Sequence, residues 1–162
     1  RFLKVTDKAG LADALFAASR HWPVALHLNK GLAGAPAGVI AAARETAMNP
    51  AALDAFALAI AGAGGPPAWP GIAGHEPDVT RARSDAAAVA RAMAPLEALL
   101  SAPASYVAES DFFEPRWQDA FWGGNYPRLL AVKDAYDPDG LFIVHHGVGS
   151  ERWSADGFTR LE

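Results

Sequence analysis

Residues 105–149 read SYVAESDFFEPRWQDAFWGGNYPRLLAVKDAYDPDGLFIVHHGVG, and this stretch decides the fold. Ser105 to Val107 is predicted to be short and extended. A helix is predicted from Glu114-Pro115, because proline suits the first turn of a helix, and Gly123-Gly124 ends it. Trp117 and Phe121 lie four residues apart, so they share a face of this helix and are expected in the core.

A second helix is predicted directly after the glycine pair. Asn125 is expected to cap it, and Pro127 lies in its first turn. One helical stripe comprises Tyr126, Leu129, Leu130, Lys133 and Tyr136. A lysine on an apolar stripe either extends outward to water or meets a buried acceptor.

The segment after this helix is predicted to turn and then extend. Asp137-Pro138-Asp139-Gly140 is typical of a tight turn, and residues 141–144 are predicted to form a short strand. Neighbouring side chains on a strand point to opposite faces, so His145 and His146 are expected to diverge. They would then be a poor pair of ligands for one metal ion, and no metal site is predicted.

Composition limits the class of protein. The chain has 162 residues, enough for one ordinary domain, and is 51% hydrophobic and 20% charged, which excludes a disordered chain. The net charge of −4 gives no electrostatic reason to bind nucleic acid. No apolar run reaches the roughly 18 residues of a membrane span, and no signal peptide is evident. The absence of cysteine excludes disulfides and is compatible with a cytoplasmic location.

The first hundred residues alternate between helix and strand patterns. Helices are predicted over residues 9–20, 36–45 and 78–100, strands over 24–29 and 54–61, and an irregular loop over 62–77. In the second strand Phe56, Leu58 and Ile60 form a large face, and the alternating alanines form a small face. Alanine also favours helix, but the period of two favours strand. The small face leaves room for a close-packed helix or for a ligand.

These elements predict an α+β fold, with an antiparallel sheet, helices packed on one face, and a helical C-terminal segment. Residues 1–104 are assigned to the sheet-bearing domain and residues 105–162 to the C-terminal segment.

Several unusual residues in the C-terminal segment recur in a known order. They are Tyr106, Trp117, Phe121-Trp122-Gly123, Asn125-Tyr126, Arg128-Leu129, Lys133, Tyr136-Asp137-Pro138 and Phe142. This order resembles the C-terminal segment of berberine-bridge-enzyme-like FAD-linked oxidases, of the vanillyl-alcohol oxidase/p-cresol methylhydroxylase superfamily. The resemblance is specific over about residues 105–150 and looser over residues 24–104, which are similar to the family's substrate domain.

The resemblance implies a cofactor and partners. Family members bind FAD in an N-terminal domain, and their C-terminal segment returns to that domain. They oxidise alcohols, amines, sugars or phenolic compounds by passing a hydride to the flavin, and many then reduce dioxygen. The implied partners are an FAD-binding N-terminal domain and a small-molecule substrate. Assembly into a homo-oligomer is a further alternative. No nucleic acid or membrane partner is expected.

The length implies that this sequence is part of a longer oxidase. Family enzymes are more than twice as long, and the glycines of residues 62–65 precede prolines instead of opening a phosphate-binding helix. FAD is therefore expected to be bound mostly by a part outside this sequence. The alternative is a non-enzymatic α+β binding or assembly module that retains only this half of the fold.

The family's Tyr-x-Asn motif falls on Tyr106-Val107-Ala108. Tyr106 matches and is predicted to face the flavin or the substrate, as a base or a hydrogen-bond donor, whereas Ala108 lacks the motif's amide. The alternative for Tyr106 is a buried tyrosine with a satisfied hydroxyl. Asn125, His145 and His146 are further candidates for contact with the cofactor; for Asn125, fixing its helix against a neighbour is the simpler interpretation.

Three residues in the first part of the chain are candidates for the substrate site. His27 and Asn29 project from one face of the predicted first strand, and His27 is also a candidate catalytic residue. Trp69 lies in the long loop, and loops of that kind are often binding loops. The alternative for His27 and Asn29 is an ordinary half-exposed strand face.

Overall fold

The computed structural model of the chain describes residues 1–28 and 32–161, and these contain three β-strands and six α-helices. The strands are β1 (Phe2–Leu3), β2 (Ala25–His27) and β3 (Ala57–Ile60). The helices are α1 (Lys8–Ser19), α2 (Ala37–Arg44), α3 (Ala51–Asp54), α4 (Val79–Glu97), α5 (Trp117–Trp122) and α6 (Tyr126–Tyr136). The predicted α+β class is confirmed, and α3 is an addition that sequence patterns did not predict.

The sheet has the strand order β1–β3–β2. β2 and β3 are antiparallel, and Leu26 lies opposite Ala59. Beside β1, the amino group of Arg1 donates to the Ala59 carbonyl at 2.7 Å, and the Ala59 amide donates to the Arg1 carbonyl at 2.8 Å. A reciprocal pair of this kind is the hydrogen-bonded pair of an antiparallel ladder.

The small face of β3 serves helix packing. Ala59 is 1% exposed and belongs to a core cluster with side chains of α1 and α4, so its methyl group allows the helices to approach the sheet closely. Of the two uses predicted for the small face, room for a close-packed helix is therefore confirmed at Ala59. The buried members of the cluster are Leu3, Ala14, Ala18, Ala59, Ala92 and Leu96.

Aspartate caps fix the starts of α1 and α4. The Asp7 carboxylate accepts hydrogen bonds from two amides of the first turn of α1, and the Asp78 carboxylate accepts one from the Arg81 amide at 2.9 Å. These bonds satisfy amides that have no partner within the helix. Pro95 lies inside α4, which ends two residues later at Glu97, as expected for a proline that disrupts the ladder.

The described residues form two compact units. The first unit comprises residues 1, 3–28 and 56–101, and the second comprises residues 2, 32–55 and 102–161. The first unit holds β2, β3, α1 and α4, whereas the second holds α2, α3, α5 and α6. Residues 32–55 thus belong to the same unit as the C-terminal segment.

The second unit has a small aromatic core. Trp117, Ala120 and Phe121 are its buried members, with Trp122 and Tyr126 packed against them, so the predicted shared face of Trp117 and Phe121 is confirmed. α5 ends at Trp122, and the following Gly123 has a φ of +54°, a left-handed conformation that favours glycine.

Candidate functional site

A lysine–aspartate pair organises the loop after α6. The Asp137 carboxylate accepts hydrogen bonds from the Lys133 ammonium, from the Leu141 amide at 2.8 Å and from the Phe142 amide at 3.0 Å. Lys133 also donates to the Phe142 carbonyl. Of the two alternatives predicted for Lys133, extension to water or contact with an acceptor, the structure therefore shows the second. These bonds, led by the one to Lys133, hold the pKa of Asp137 below its usual value.

The prediction of a strand over residues 141–144 is wrong. The segment lies outside all three strands, although the predicted turn forms at Pro138-Asp139, where the Gly140 amide donates to the Asp137 carbonyl at 3.1 Å. The physical reason is competition for backbone groups, because side chains of Asp137 and Lys133 bind the amides and the carbonyl that a partner strand would need.

His145 and His146 lie in a turn, and their side chains converge. His146 has a φ of +56°, which is uncommon for a residue with a side chain. The two imidazole rings stack with their centroids 3.7 Å apart and their planes at 28°. The prediction that they point to opposite faces is therefore wrong, because it depended on the strand that does not form.

The two imidazoles lie in the middle of a row of four rings, which we call the aromatic stack: Phe112, His145, His146 and Trp117. Phe112 lies against His145 at 4.0 Å between centroids, and Trp117 lies against His146 at 5.4 Å, both nearly parallel. Phe112 and His145 are exposed, whereas Trp117 is 8% exposed. The stack therefore runs from the surface into the aromatic core of the second unit.

Hydrogen bonding fixes the tautomer of His145. Its Nε2 lies 2.8 Å from the carbonyl oxygen of Phe112. A carbonyl only accepts, so Nε2 must carry the hydrogen, and in the neutral ring Nδ1 is an unprotonated acceptor. Within the described residues Nδ1 has no hydrogen-bond partner.

His146 is held in its neutral form. Burial lowers its pKa below the usual 6.5, and a positive charge on the neighbouring His145 lowers it further. The carboxylates of Glu114 and Asp111 act in the opposite direction but do not reverse the shift. The adjacent imidazoles therefore favour a single positive charge over two.

Tyr126 connects α6 to the last part of the chain. Its hydroxyl donates to the Glu151 carboxylate at 2.6 Å and accepts a hydrogen bond from the Gly149 amide at 3.1 Å. Burial, followed by the hydrogen bond to Glu151, raises the pKa of the Tyr126 phenol far above its usual value. Tyr126 also meets Trp117 edge to face, with centroids 5.5 Å apart, so this tether supports one end of the aromatic stack.

Asn125 does not cap α6. Its side chain forms no capping bond, and its amide group instead donates to the carbonyls of Thr46 and Met48 at 3.1 and 2.9 Å. Arg128 donates to the carbonyls of Glu45 and Thr46. The capping prediction is wrong because Asn125 already has helical backbone angles, φ −80° and ψ −17°, whereas a capping residue needs extended ones, and its side chain turns toward the carbonyls after α2. The expectation that Asn125 fixes its helix against a neighbour is confirmed, and its cofactor contact stays a prediction.

Asn49 makes the corresponding connection from the other side. It is 4% exposed, and its amide group donates to the carbonyls of Asp119 and Ala120 at 3.1 and 2.8 Å. Its side-chain oxygen accepts from the Ala51 amide at 3.0 Å. One buried side chain therefore joins the start of α3 to α5.

The other predicted site residues are distributed over both units. Tyr106 is 43% exposed in the second unit, which rules out a fully buried tyrosine, and Val107 starts a short 3-10 turn in place of an extended segment. His27 lies on β2 in the first unit and is exposed. Trp69 is 51% exposed in the first unit and meets His75 edge to face at 5.7 Å. Asn29 lies outside the described residues.

Sequence reasoning missed three residues of the second unit. Phe112 contacts His145 and Glu151 contacts Tyr126, and each pair is more than 20 positions apart in the sequence. Local spacing rules do not link residues that far apart. Trp122 was noted only as part of the recurring family pattern, but its indole N–H is buried and has no acceptor among the described residues. The described residues contain no group of three or more potential ligands that could hold a metal ion.

No helix in residues 1–28 and 32–161 is both long and apolar enough to cross a bilayer.

Comparison with known proteins finds similarity in the C-terminal segment. Residues 105–149 match the family model described as "Berberine and berberine like". The predicted resemblance is confirmed, and residues 105–149 are a berberine-bridge-enzyme-like segment related to FAD-linked oxidoreductases.

Several curated relatives match about a third of the chain. The FAD-linked oxidoreductase notD' of Aspergillus versicolor is 51% identical over 59 residues, which cover 36% of this chain and 10% of the relative. A VAO-type flavoprotein oxidase of Thermothelomyces thermophilus is 48% identical over 56 residues, covering 35% and 10%. The flavin-dependent oxygenase ucdF of Aspergillus ustus is 53% identical over 57 residues, with the same coverage.

The matched part of the chain thus spans about a tenth of the length of these relatives. No solved structure matches the chain.

Proposed function

We propose that this chain is the C-terminal portion of an FAD-dependent oxidoreductase that positions an alcohol, an amine or a similar substrate for hydride transfer to the flavin. The observation that carries the proposal is the berberine-like match of residues 105–149. The folded segment supports it, because Asn125, Lys133 and Asp137 of the recurring pattern all form hydrogen bonds that hold it together.

The hydrogen-bond donors of the second unit suit FAD. A flavin ring presents carbonyl oxygens and ring nitrogens as acceptors, and the buried Trp122 N–H is a donor without an acceptor among the described residues. Tyr106, with its exposed ring, offers a second donor. Trp122 and Tyr106 would therefore hold part of the cofactor. When bound, FAD supplies the hydride acceptor of the reaction.

The exposed apolar side chains of the second unit support an additional domain as partner. Phe113 is 79%, Leu141 80%, Phe142 82% and Phe158 89% exposed, so a domain that covered them would remove large apolar side chains from water. The partner that we propose is the FAD-binding N-terminal domain of a longer protein, which would bind most of the cofactor. His27, Asn29 and Trp69 would contact the substrate, and dioxygen is the proposed final acceptor.

The test uses the full-length protein that contains this sequence. Purified protein should carry flavin absorbance, and anaerobic mixing with a panel of alcohols, amines and sugars should bleach that absorbance with at least one of them. Tyr106→Phe should weaken FAD binding or slow the bleaching, because it removes a proposed donor. Tyr136→Phe is the matched control, since Tyr136 is 87% exposed and its hydroxyl has no partner in the described structure.

A colourless full-length protein that takes up no FAD would contradict the proposal. If that protein were also monodisperse in size-exclusion chromatography, the non-enzymatic binding module would become the better description.

A further inference from the structure

The environment of His145 is that of a base with one free nitrogen. Its Nε2–H is donated to the Phe112 carbonyl at 2.8 Å, so the lone pair of Nδ1 is the only one that the neutral ring can offer. The ring is exposed, and Nδ1 has no partner among the described residues. An incoming O–H or N–H group could therefore reach this nitrogen without displacing an existing bond.

The surroundings also suit the cation that forms when Nδ1 takes up a proton. The face of Phe112 lies 4.0 Å from the imidazole, at a distance where an aromatic ring attracts a cation. The bond from Nε2–H to the Phe112 carbonyl strengthens when its donor becomes charged. These two contacts come from one residue on the outer side of the aromatic stack.

His146 holds the ring of His145 in place without competing for the proton. Its imidazole stacks on His145 at 3.7 Å and on Trp117 at 5.4 Å. Burial keeps the pKa of His146 below its usual value, and the titratable groups that face it are His145, Glu114 and Asp111. His146 has a left-handed φ of +56°, and such conformations cluster at functional sites.

We propose that His145 accepts, at Nδ1, the proton that leaves the substrate during its oxidation. This inference rests on the proposed function. The O–H or N–H bond of the substrate breaks, its proton goes to Nδ1, and its electron pair forms the C=O or C=N double bond. Oxidised FAD, when bound, would supply the acceptor for the hydride, which leaves the adjacent carbon with the C–H electron pair.

The first test needs no variant and no cofactor. Long-range ¹H–¹⁵N spectra of the ¹⁵N-labelled chain assign the tautomer of each histidine at a pH where the rings are neutral. His145 should show a protonated Nε2 and an unprotonated Nδ1. A neutral His145 with its proton on Nδ1 would overturn the proposal, because that nitrogen could not accept another.

The second test measures flavin reduction in the loaded full-length protein. His145→Gln keeps a donor for the Phe112 carbonyl but removes the nitrogen proposed to accept the proton. It should slow reduction by about a hundredfold or more, the range for loss of a general base. Raising the pH should recover part of the rate, because the substrate then loses its proton to solvent. His21→Gln, an exposed histidine of the first unit, is the control and should reduce at the wild-type rate.

The outcomes separate this inference from the proposed function. Wild-type protein that no substrate reduces would contradict the proposed function and this inference with it. Wild-type protein that is reduced, together with His145→Gln reduced equally fast, would overturn only the role of His145.

Discussion

Asn49→Ala should open the second unit, since this one buried amide joins α3 to α5. The truncation removes donated bonds to the carbonyls of Asp119 and Ala120. Each carbonyl keeps one backbone donor, from the Gly123 and Ser105 amides respectively. The cost is therefore the net value of two hydrogen bonds, about 1 kcal/mol each, without the larger penalty of an unpaired buried carbonyl.

The same truncation also leaves the Ala51 amide without its acceptor. Loss of a helix-capping bond of this kind costs about 1 kcal/mol, which brings the expected loss in the free energy of unfolding to about 3 kcal/mol. At 1.4 kcal/mol for each factor of ten, the opening equilibrium of the second unit should rise by about a hundredfold.

Native-state hydrogen exchange measures this opening directly. Peptides covering residues 117–136 should lose about two orders of magnitude in protection, in keeping with the expected loss of stability. Gln118→Ala is the matched control, because its amide group forms no hydrogen bond in the described structure. Asn49→Asp keeps the acceptor for Ala51 but turns a carboxylate toward two carbonyl oxygens, so it should be at least as damaging. Wild-type protection in Asn49→Asp would refute the assigned role of the amide donors.

Three further perturbations test the loop and the aromatic stack. Asp137→Asn should weaken the bond to Lys133 and speed limited proteolysis of the following loop. In the wild type, the protection of this loop from proteolysis is present above the usual carboxyl pKa of 3.8 and should be lost as the pH falls through the lowered pKa of Asp137. Unchanged proteolysis in Asp137→Asn would contradict the role given to the Lys133–Asp137 pair. The wild type should lose stability as the pH falls below about 6.5, because His146 then binds a proton in the unfolded chain but not in the folded one, where its pKa is lowered. His146→Phe should remove this loss. Identical pH profiles of the two proteins in thermal melts would count against the burial of this ring. Gly140→Ala should lower the melting temperature, because the new Cβ would lie 2.5 Å from the ring of Trp153 at a φ of +69°, and an unchanged melt would show that the loop can shift.

The helices were the most predictable part of the fold. The helices predicted over residues 9–20 and 78–100 have apolar periodicity and an aspartate cap, Asp7 or Asp78, all of which act within a few positions, and α1 and α4 follow these local signals. β3 was predictable for a similar reason, since its alternation of alanine with larger residues matches burial on one face. Local information was sufficient wherever the hydrogen bonds of an element close within it or the apolar pattern is regular.

The candidate site was less predictable because its bonds are long in sequence. The strand predicted over residues 141–144 failed when Asp137 and Lys133 bound its backbone, and the convergence of the two histidines followed from that failure. The role of Asn125 depended on carbonyls almost 80 positions away. The family resemblance located this segment, but its partners within the chain came only from the structure.

The interleaving of the two units has a consequence for synthesis on the ribosome. Residues 32–55 belong to the unit that residues 102–161 complete, so they leave the ribosome well before the side chains that donate hydrogen bonds to them. The carbonyls after α2 must remain hydrated until Asn125 and Arg128 have been made. Since non-local contacts slow folding and prolong exposure of unfinished surfaces, this early segment is where chaperones would be expected to bind the nascent chain.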